Sequence, residues 1–439
     1  MLDFWFILLL IVFNISIIFV FSKNTFLEFN PRQGSIWIVL LLQTYLLILM
    51  PILLLNLYGV NNFSNVLYFV KDEGIFKISL ISIYALFAFS LTVLFFARFI
   101  KLPIDFNSRL SSINSDNLKV FVNSSVVCSF LIFLFSYLFL GYKHAFIESI
   151  LTGSNVLNVR LDNVYKSQLP SQLSYLIYLS YIISSIFSGI QLAQNKYIKF
   201  FIYLFISLFL ASIGGQKAPV FSAITICLLS YVSVVGFKFS IKKTLFSIFI
   251  YIPLLYLFLF LIVSLQINEL DFISFNHYLI GRLGVGQMAG TFETFSMNRL
   301  DGDFYLHIFP FASFFYDYIP YDKALMMYTE GYRFDEMGVK NSFFVSEAYG
   351  IGGWPLLIAS PFIVGLSFIL GLKIFYLFLK SFFGESVAII YCLPIFILTT
   401  NLTGGFSSFP FFKGLIQIII LFFIIYLFYI FMIKFKLGK

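Results

Sequence analysis

Long apolar runs alternate with short polar breaks along almost the whole chain. Eleven runs approach or reach the length of a bilayer span: 4–22, 35–57, 76–98, 120–142, 172–193, 198–213, 218–237, 244–266, 354–373, 385–403 and 414–434. A hydrocarbon core about 30 Å thick needs roughly 20 apolar residues in a helix. Lipid offers nothing to a free peptide group, so runs of this kind are predicted to be α-helices. The sixth run is short and is expected to be tilted or broken. The first opens on Met-Leu-Asp with no basic segment and has no clear small-residue cleavage site, which predicts a retained span rather than a signal peptide. The expected fold class is an all-α polytopic membrane protein of about 11 transmembrane helices. Residues 1–266 would hold helices one to eight, with an exterior loop at 143–171. Residues 267–353 would form one large, partly helical exterior loop, and 354–439 the last three helices.

Composition strengthens this reading. Of 439 residues, 60% are hydrophobic and 11% charged, whereas an ordinary soluble domain is about a quarter charged. The 62 phenylalanines accompany abundant Ile, Asn, Lys and Tyr, as AT-rich coding would produce, and no aromatic stripe is read as a cofactor box. Cys128, Cys227 and Cys392 lie within apolar runs and make no Cys-x-x-Cys pair, so neither a structural metal nor a redox site is expected.

Charge sets the orientation. The segment 267–353 carries eleven acidic and five basic residues, a formal −6 in a chain of +8, which leaves +14 elsewhere. Lys and Arg collect in short cytoplasmic loops, while a translocated loop carries any charge. The basic stretches around Arg98–Lys119, Lys196–Lys199, Lys238–Lys243 and Lys434–Lys439 are therefore expected inside, with the C-terminus. The N-terminus and the large loop are expected outside. The positive balance is explained without nucleic acid. Whatever the absolute orientation, the connections after runs four, six and eight share a side, which gathers Arg160, Lys217 and 267–353 on one face.

The spans hold little chemistry. No Asp or Glu lies in any apolar interior, although ion-coupled carriers usually place an ionisable group at the midplane. Gly214-Gly215-Gln216-Lys217-Ala218-Pro219 reads as a helix end followed by a new helix with proline in its first turn. Free N–H groups and a lysine there suit an anion, though a tight hairpin with a snorkelling lysine explains the same residues. The stretch 277–297 looks partly helical and carries Arg282 and Glu293. Arg299, Arg333 and Lys340 follow, and Asn341 or Ser342 is placed to cap a short helix carrying Glu347. The exterior aromatics (Phe304, Tyr305, Phe309, Tyr318 among them) either fold against the membrane or line a groove. Asp301-Gly-Asp303 reads as a turn rather than a metal site.

Three places resemble the Wzy-type oligosaccharide repeat-unit polymerases of bacterial O-antigen and capsule assembly. Gly-Gly-Gln-Lys-Ala-Pro-Val at 214–220 is similar to that family's Gly-Gly-x-Arg-x turn, with Lys217 in place of arginine. Asn341 to Gly353 resembles the segment where the large loop re-enters the membrane at a Glu-x-Tyr-x-x-x-Gly-like pattern. Arg160 and Arg282 fall where such polymerases carry exterior arginines. The resemblance implies a GT-C-like membrane glycosyltransferase of the bacterial inner membrane, working at its periplasmic face. It would polymerise undecaprenyl-pyrophosphate-linked repeat units, donor and acceptor both lipid-linked, beside membrane lipids, a chain-length regulator and a flippase. Arg160, Lys217, Arg282 and Arg333 would neutralise the pyrophosphate leaving group. Glu347, His307 or Glu293 would supply the general base, with Glu347 preferred. No metal and no cofactor are expected. Two other readings share these pathways. A lipid-linked oligosaccharide flippase should have short loops throughout, and an O-antigen ligase shares the layout of a polymerase.

Overall fold

The computed structural model describes residues 2–28, 38–102, 115–165, 171–236, single positions between 253 and 264, 271–312, 315–331, 340–400 and 405–437. Among them every regular element is helical. The helices are α1 (Leu2–Ser22), α2 (Ile38–Tyr58), α3 (Asp72–Ala97), α4 (Ser115–Phe139), α5 (Ala145–Thr152), α6 (Val156–Tyr165), α7 (Ser171–Ala193), α8 (Tyr197–Ser212), α9 (Lys217–Val235), α10 (Phe272–Leu279), α11 (Ala289–Ser296), α12 (Tyr321–Glu330), α13 (Phe344–Phe383), α14 (Glu385–Thr399) and α15 (Lys413–Leu437).

Among the described residues, seven helical stretches are long and apolar enough to cross a membrane, and three shorter apolar ones stand in α2, α8 and α14. Together they fall on ten of the eleven expected runs. The expected eighth span, 244–266, lies mostly outside the described residues. Leu2, Trp5, Phe6, Leu9 and Phe13 on α1, and Phe201 and Phe205 on α8, expose their side chains, as lipid-facing positions do. The chain is an all-helical integral membrane protein.

Small polar side chains stitch the bundle where water is absent. Ser129 donates to Ser180 at 2.6 Å across α4 and α7, and Ser185 pairs with Ser207 across α7 and α8. Gly189 lets α9 approach α7 so closely that a Cβ there would overlap the Cys227 carbonyl.

The direction of each helix fixes which connections share an end. Lys77 lies over the Trp354 ring, 5.2 Å from its centre, and Tyr84 donates to the Ile358 carbonyl at 3.0 Å. So α3 and the main part of α13 run side by side in one direction. Phe121, early in α4, meets Phe383 at the far end of α13, with ring centres 4.8 Å apart. The end of α4 is thus back beside the large loop, and from there Ala145 N–H donates to the Ile213 carbonyl at 2.9 Å. The connections 59–71, 140–165, 213–216, 271–343 and 405–412 gather at one end of the bundle.

Candidate functional site

The site is built on the start of α13. Gly353 adopts φ 64°, ψ −154° and breaks the helix, a conformation open to glycine and costly with a Cβ. The break leaves a stub, 344–352, on which Phe344, Val345, Ser346, Glu347, Ala348 and Gly350 are buried. Two loop helices roof it. Thr291 of α11 accepts the Phe343 N–H at 2.7 Å and the Ser346 hydroxyl at 2.9 Å. The ring of Tyr321 in α12 fills the space a Cβ on Gly350 would need. Arg299 serves the stub's other end, Nε donating to the Gly350 carbonyl at 2.9 Å and Nη2 to that of Ile351 at 2.8 Å. Those carbonyls lose their helical partners at the break, so the guanidinium completes the helix end. The expected cap differs. The residue before the stub is Phe343, which makes no side-chain cap, and the Asn341 carbonyl instead accepts the Gly290 N–H at 2.9 Å. The loop's own packing sets the start of this helix, so a capping side chain is not needed.

Glu347 and His307, forty residues apart in sequence, meet here. His307 sits in the 3₁₀ turn Phe304–Ile308, which Phe304 anchors by packing edge-on to Tyr321 at 5.2 Å. His307 Nδ1 lies 2.9 Å from Glu347 Oε1 and 2.9 Å from Ser407 Oγ. The Ser407 N–H donates to Glu347 Oε2 at 2.8 Å, and Lys413 Nζ donates to the His307 carbonyl at 2.6 Å. A carboxylate only accepts, so Nδ1 carries the proton and shares it between the Glu347 carboxylate and the serine oxygen. The other ring nitrogen, Nε2, has no hydrogen-bond partner among the described residues. The Glu347 side chain is 4% exposed and that of His307 23%, so the carboxylate is the buried member of the pair and the imidazole the accessible one. Sequence preferred Glu347 as the base; the structure buries it in contact with His307 and Ser407.

Two neighbours shape this pair. Burial first, and the charge of Glu347 second, lift the Asp322 carboxyl above the usual aspartate range, so a second acid stands near the pair. Gly405 passes so close to Glu347 Oε2 that a Cβ there would overlap it. Gly405→Ala is therefore expected to push the carboxylate off His307. It should cost about 1–3 kcal/mol of stability by overpacking, read by thermal unfolding.

Glu293, the third sequence candidate for the base, belongs to a different cluster. It is fully buried. Its Oε1 accepts the Tyr68 N–H at 2.9 Å and lies 3.2 Å from Lys340 Nζ. Lys340 is held more closely by Glu330, at 2.5 Å, and stands over the Tyr68 ring at 4.7 Å. Lys340–Glu330 is the ion pair and Glu293 the supernumerary acid, whose Oε2 has no partner in the described structure. Burial pushes the Glu293 carboxyl up to about 7, against the opposing pull of Lys340 and the Tyr68 N–H. A carboxyl with a raised pKa in the folded state favours folding while protonated. Its contribution is full below about pH 4.5 and is lost as pH rises through 7, up to about 3 kcal/mol. Glu293→Gln keeps the neutral form at every pH. The fall in thermal midpoint between pH 5 and 7.5 should flatten in that variant, and an unchanged slope would reject the assignment.

The anchored Tyr68 precedes an unusual residue. Phe69 has φ 60°, a left-handed conformation that costs a bulky residue about 1–3 kcal/mol and persists where the surroundings impose it. The Glu293 bond to Tyr68 on one side, and Asp72 Oδ1 accepting the Val60 N–H at 2.8 Å on the other, hold the 59–72 connection around it.

The cationic candidates divide. Arg160 on α6 is half-buried, and its Cβ adjoins Gly215, whose φ of 69° turns the chain into α9. Lys217 is the first residue of α9. Arg282 lies in a π-helical turn, Ile280–Gly284, seated on α2 where Gly284 meets Leu54. The side chains of Lys217 and Arg282, and all of Arg333, lie outside the described residues. Sequence reasoning missed Ser407 and the role of Arg299. Ser407 stood in a Gly- and Ser-rich break after the tenth run, which the span count already put on the side of the large loop. Comparison with family models, with curated proteins and with solved structures finds no match to this chain.

Proposed function

We propose that the chain is a membrane glycosyltransferase that polymerises lipid-linked oligosaccharide repeat units. The single observation that carries this reading is His307, oriented by buried Glu347 and Ser407, at the floor of a large loop and at the mouth of a membrane helix. A hydroxyl of the acceptor sugar would give its proton to Nε2 as its oxygen attacks the anomeric carbon of the donor glycan. The bond from that carbon to the pyrophosphate breaks, and the undecaprenyl pyrophosphate leaves with the electron pair. Glu347 stabilises the imidazolium that forms, as an orienting carboxylate does in other nucleophile-activating pairs. The leaving group asks for cations, and Arg160 beside the Gly215–Lys217 turn supports that part of the reading. Arg282 and Arg333 remain its further candidates.

The reading places the reaction at the periplasmic face of a bacterial inner membrane, with the C-terminus in the cytoplasm. Asp301 is exposed in the loop, and the three native cysteines are buried. An Asp301→Cys variant in intact cells should react with a membrane-impermeant maleimide. Protection until the cells are opened would reverse the topology. The surface glycan of a deletion strain separates the related activities: single capped units for a polymerase, full-length chains stranded on the carrier for a ligase, and units trapped inside for a flippase.

A further inference from the structure

Beside the stub of α13 lies an open groove of about 460 Å³ lined by Phe69, Val70, Lys71, Ser296, Met297, Asn298 and Tyr328. Its walls come from three elements: the 59–72 connection, the end of α11 and α12. Phe69 and Tyr328 are 59% and 58% exposed, and their ring centres are 5.9 Å apart at an angle of 48°. The lining also holds the ammonium of Lys71, the amide of Asn298 and the hydroxyl of Ser296.

We propose that this groove is a carbohydrate subsite that holds a sugar segment of the substrate beside the His307–Glu347 pair. The proposal rests on the glycosyltransferase reading and adds to it the surface that grips the glycan. Pyranose rings have an apolar C–H face and a rim of hydroxyls. Tilted aromatic faces match the first, and the Lys71 ammonium, the Asn298 amide and the Ser296 oxygen, an acceptor because its proton goes to the Phe292 carbonyl, match the second. The volume lies in the range of small-ligand pockets, which pair aromatic walls with a few placed polar groups.

Three observations favour a glycan over lipid or plain structure. Phe69 is exposed although its backbone is strained; a side chain needed only for packing would be buried, and one without a task would relax. The strain is held by the buried Glu293–Lys340–Glu330 cluster through Tyr68, a rigid footing for a binding surface. The groove mixes charge, amide and hydroxyl with its rings, whereas the lipid-facing strip of α1 presents Leu2, Trp5, Phe6, Leu9 and Phe13 without such groups. Arg299 joins groove to reaction site. It follows Asn298 in sequence and bonds the carbonyls of Gly350 and Ile351, about one helical turn from Glu347.

The test uses the full-length protein in lipid nanodiscs. The probe is the single repeat-unit oligosaccharide of the source strain, freed from its carrier by mild acid. Wild type and His307→Gln should bind it alike by calorimetry or saturation-transfer NMR. Phe69→Leu and Tyr328→Ala should each weaken binding about tenfold or more, the loss expected for a stacking face, and Tyr328→Phe should bind like wild type. A Val70→Cys thiol, at a lining position that leaves both rings in place, should react with an impermeant maleimide as fast in nanodiscs as in detergent, and more slowly with the oligosaccharide present. Wild-type binding by both Phe69→Leu and Tyr328→Ala, no uptake by the wild type, or shielding of the thiol by the bilayer alone would each overturn the proposal. None of these outcomes bears on whether His307→Gln stops chain growth, which tests the glycosyltransferase reading separately.

Discussion

Cells carrying His307→Gln in place of the wild-type chain should display single repeat units where long chains stood. Glutamine cannot take a proton from a sugar hydroxyl, and loss of a placed general base costs about 10²- to 10⁴-fold. Its amide still hydrogen-bonds, so the protein should accumulate at the wild-type level by immunoblot, which separates lost chemistry from lost folding. Glu347→Gln should act less severely. Its amide oxygen can still accept from Nδ1, but the NH₂ group then faces the Ser407 N–H, donor against donor, where Oε2 now accepts at 2.8 Å. The negative charge that favours the imidazolium is also gone. Both variants should lower the turnover rate rather than raise the acceptor concentration needed. Wild-type chain-length banding in His307→Gln would remove the residue from the reaction.

Lys340→Met should have the largest effect on stability. The ammonium lies 2.5 Å from Glu330 and 3.2 Å from Glu293, and it is 7% exposed. Removing it leaves two buried acids facing one another without a cation, a change that costs about 3–5 kcal/mol. The loss should be smaller at pH 5, where the Glu293 carboxyl is protonated and needs no cation. Adding Glu293→Gln to Lys340→Met should recover part of it, because one of the stranded charges is then gone. Thermal unfolding of the purified single and double variants reads all three statements. A Lys340→Met midpoint equal to wild type at pH 8 would show that the cluster is not the anchor described.

Much of the architecture was legible because lipid permits so few solutions. A run of twenty apolar residues has to be a helix, and counting runs tells which connections share an end. The extent of α13 was less legible. A span was expected at 354–373, yet the helix continues to Phe383, because no breaker interrupts Ile374–Phe383 before Gly384 turns the chain at φ 94°. The buried stub ahead of it was expected as a short helix with a polar cap, whereas Thr291, 52 residues away, takes the Phe343 N–H.

The site was legible in its residue types and not in its pairing. His307 and Glu347 were singled out as titratable groups in the exterior loop, but nothing local says that they touch. Their contact depends on Phe304, Tyr321 and the 405–412 connection arriving together, with separations of 40, 60 and 100 residues among His307, Glu347 and Ser407. For the same reason the order of roles proposed from the structure differs from the one preferred from sequence. Sequence ranks a carboxylate by its chemistry, whereas the fold decides which side chain is buried and which remains accessible.

The central claim is tested most directly with purified protein in nanodiscs and a single lipid-linked repeat unit as both donor and acceptor. Wild type should convert the units into a ladder of longer chains and release one undecaprenyl pyrophosphate per bond formed, and His307→Gln should leave them unjoined. Units that stay single with the wild-type protein, or a ladder that persists in His307→Gln, would contradict it.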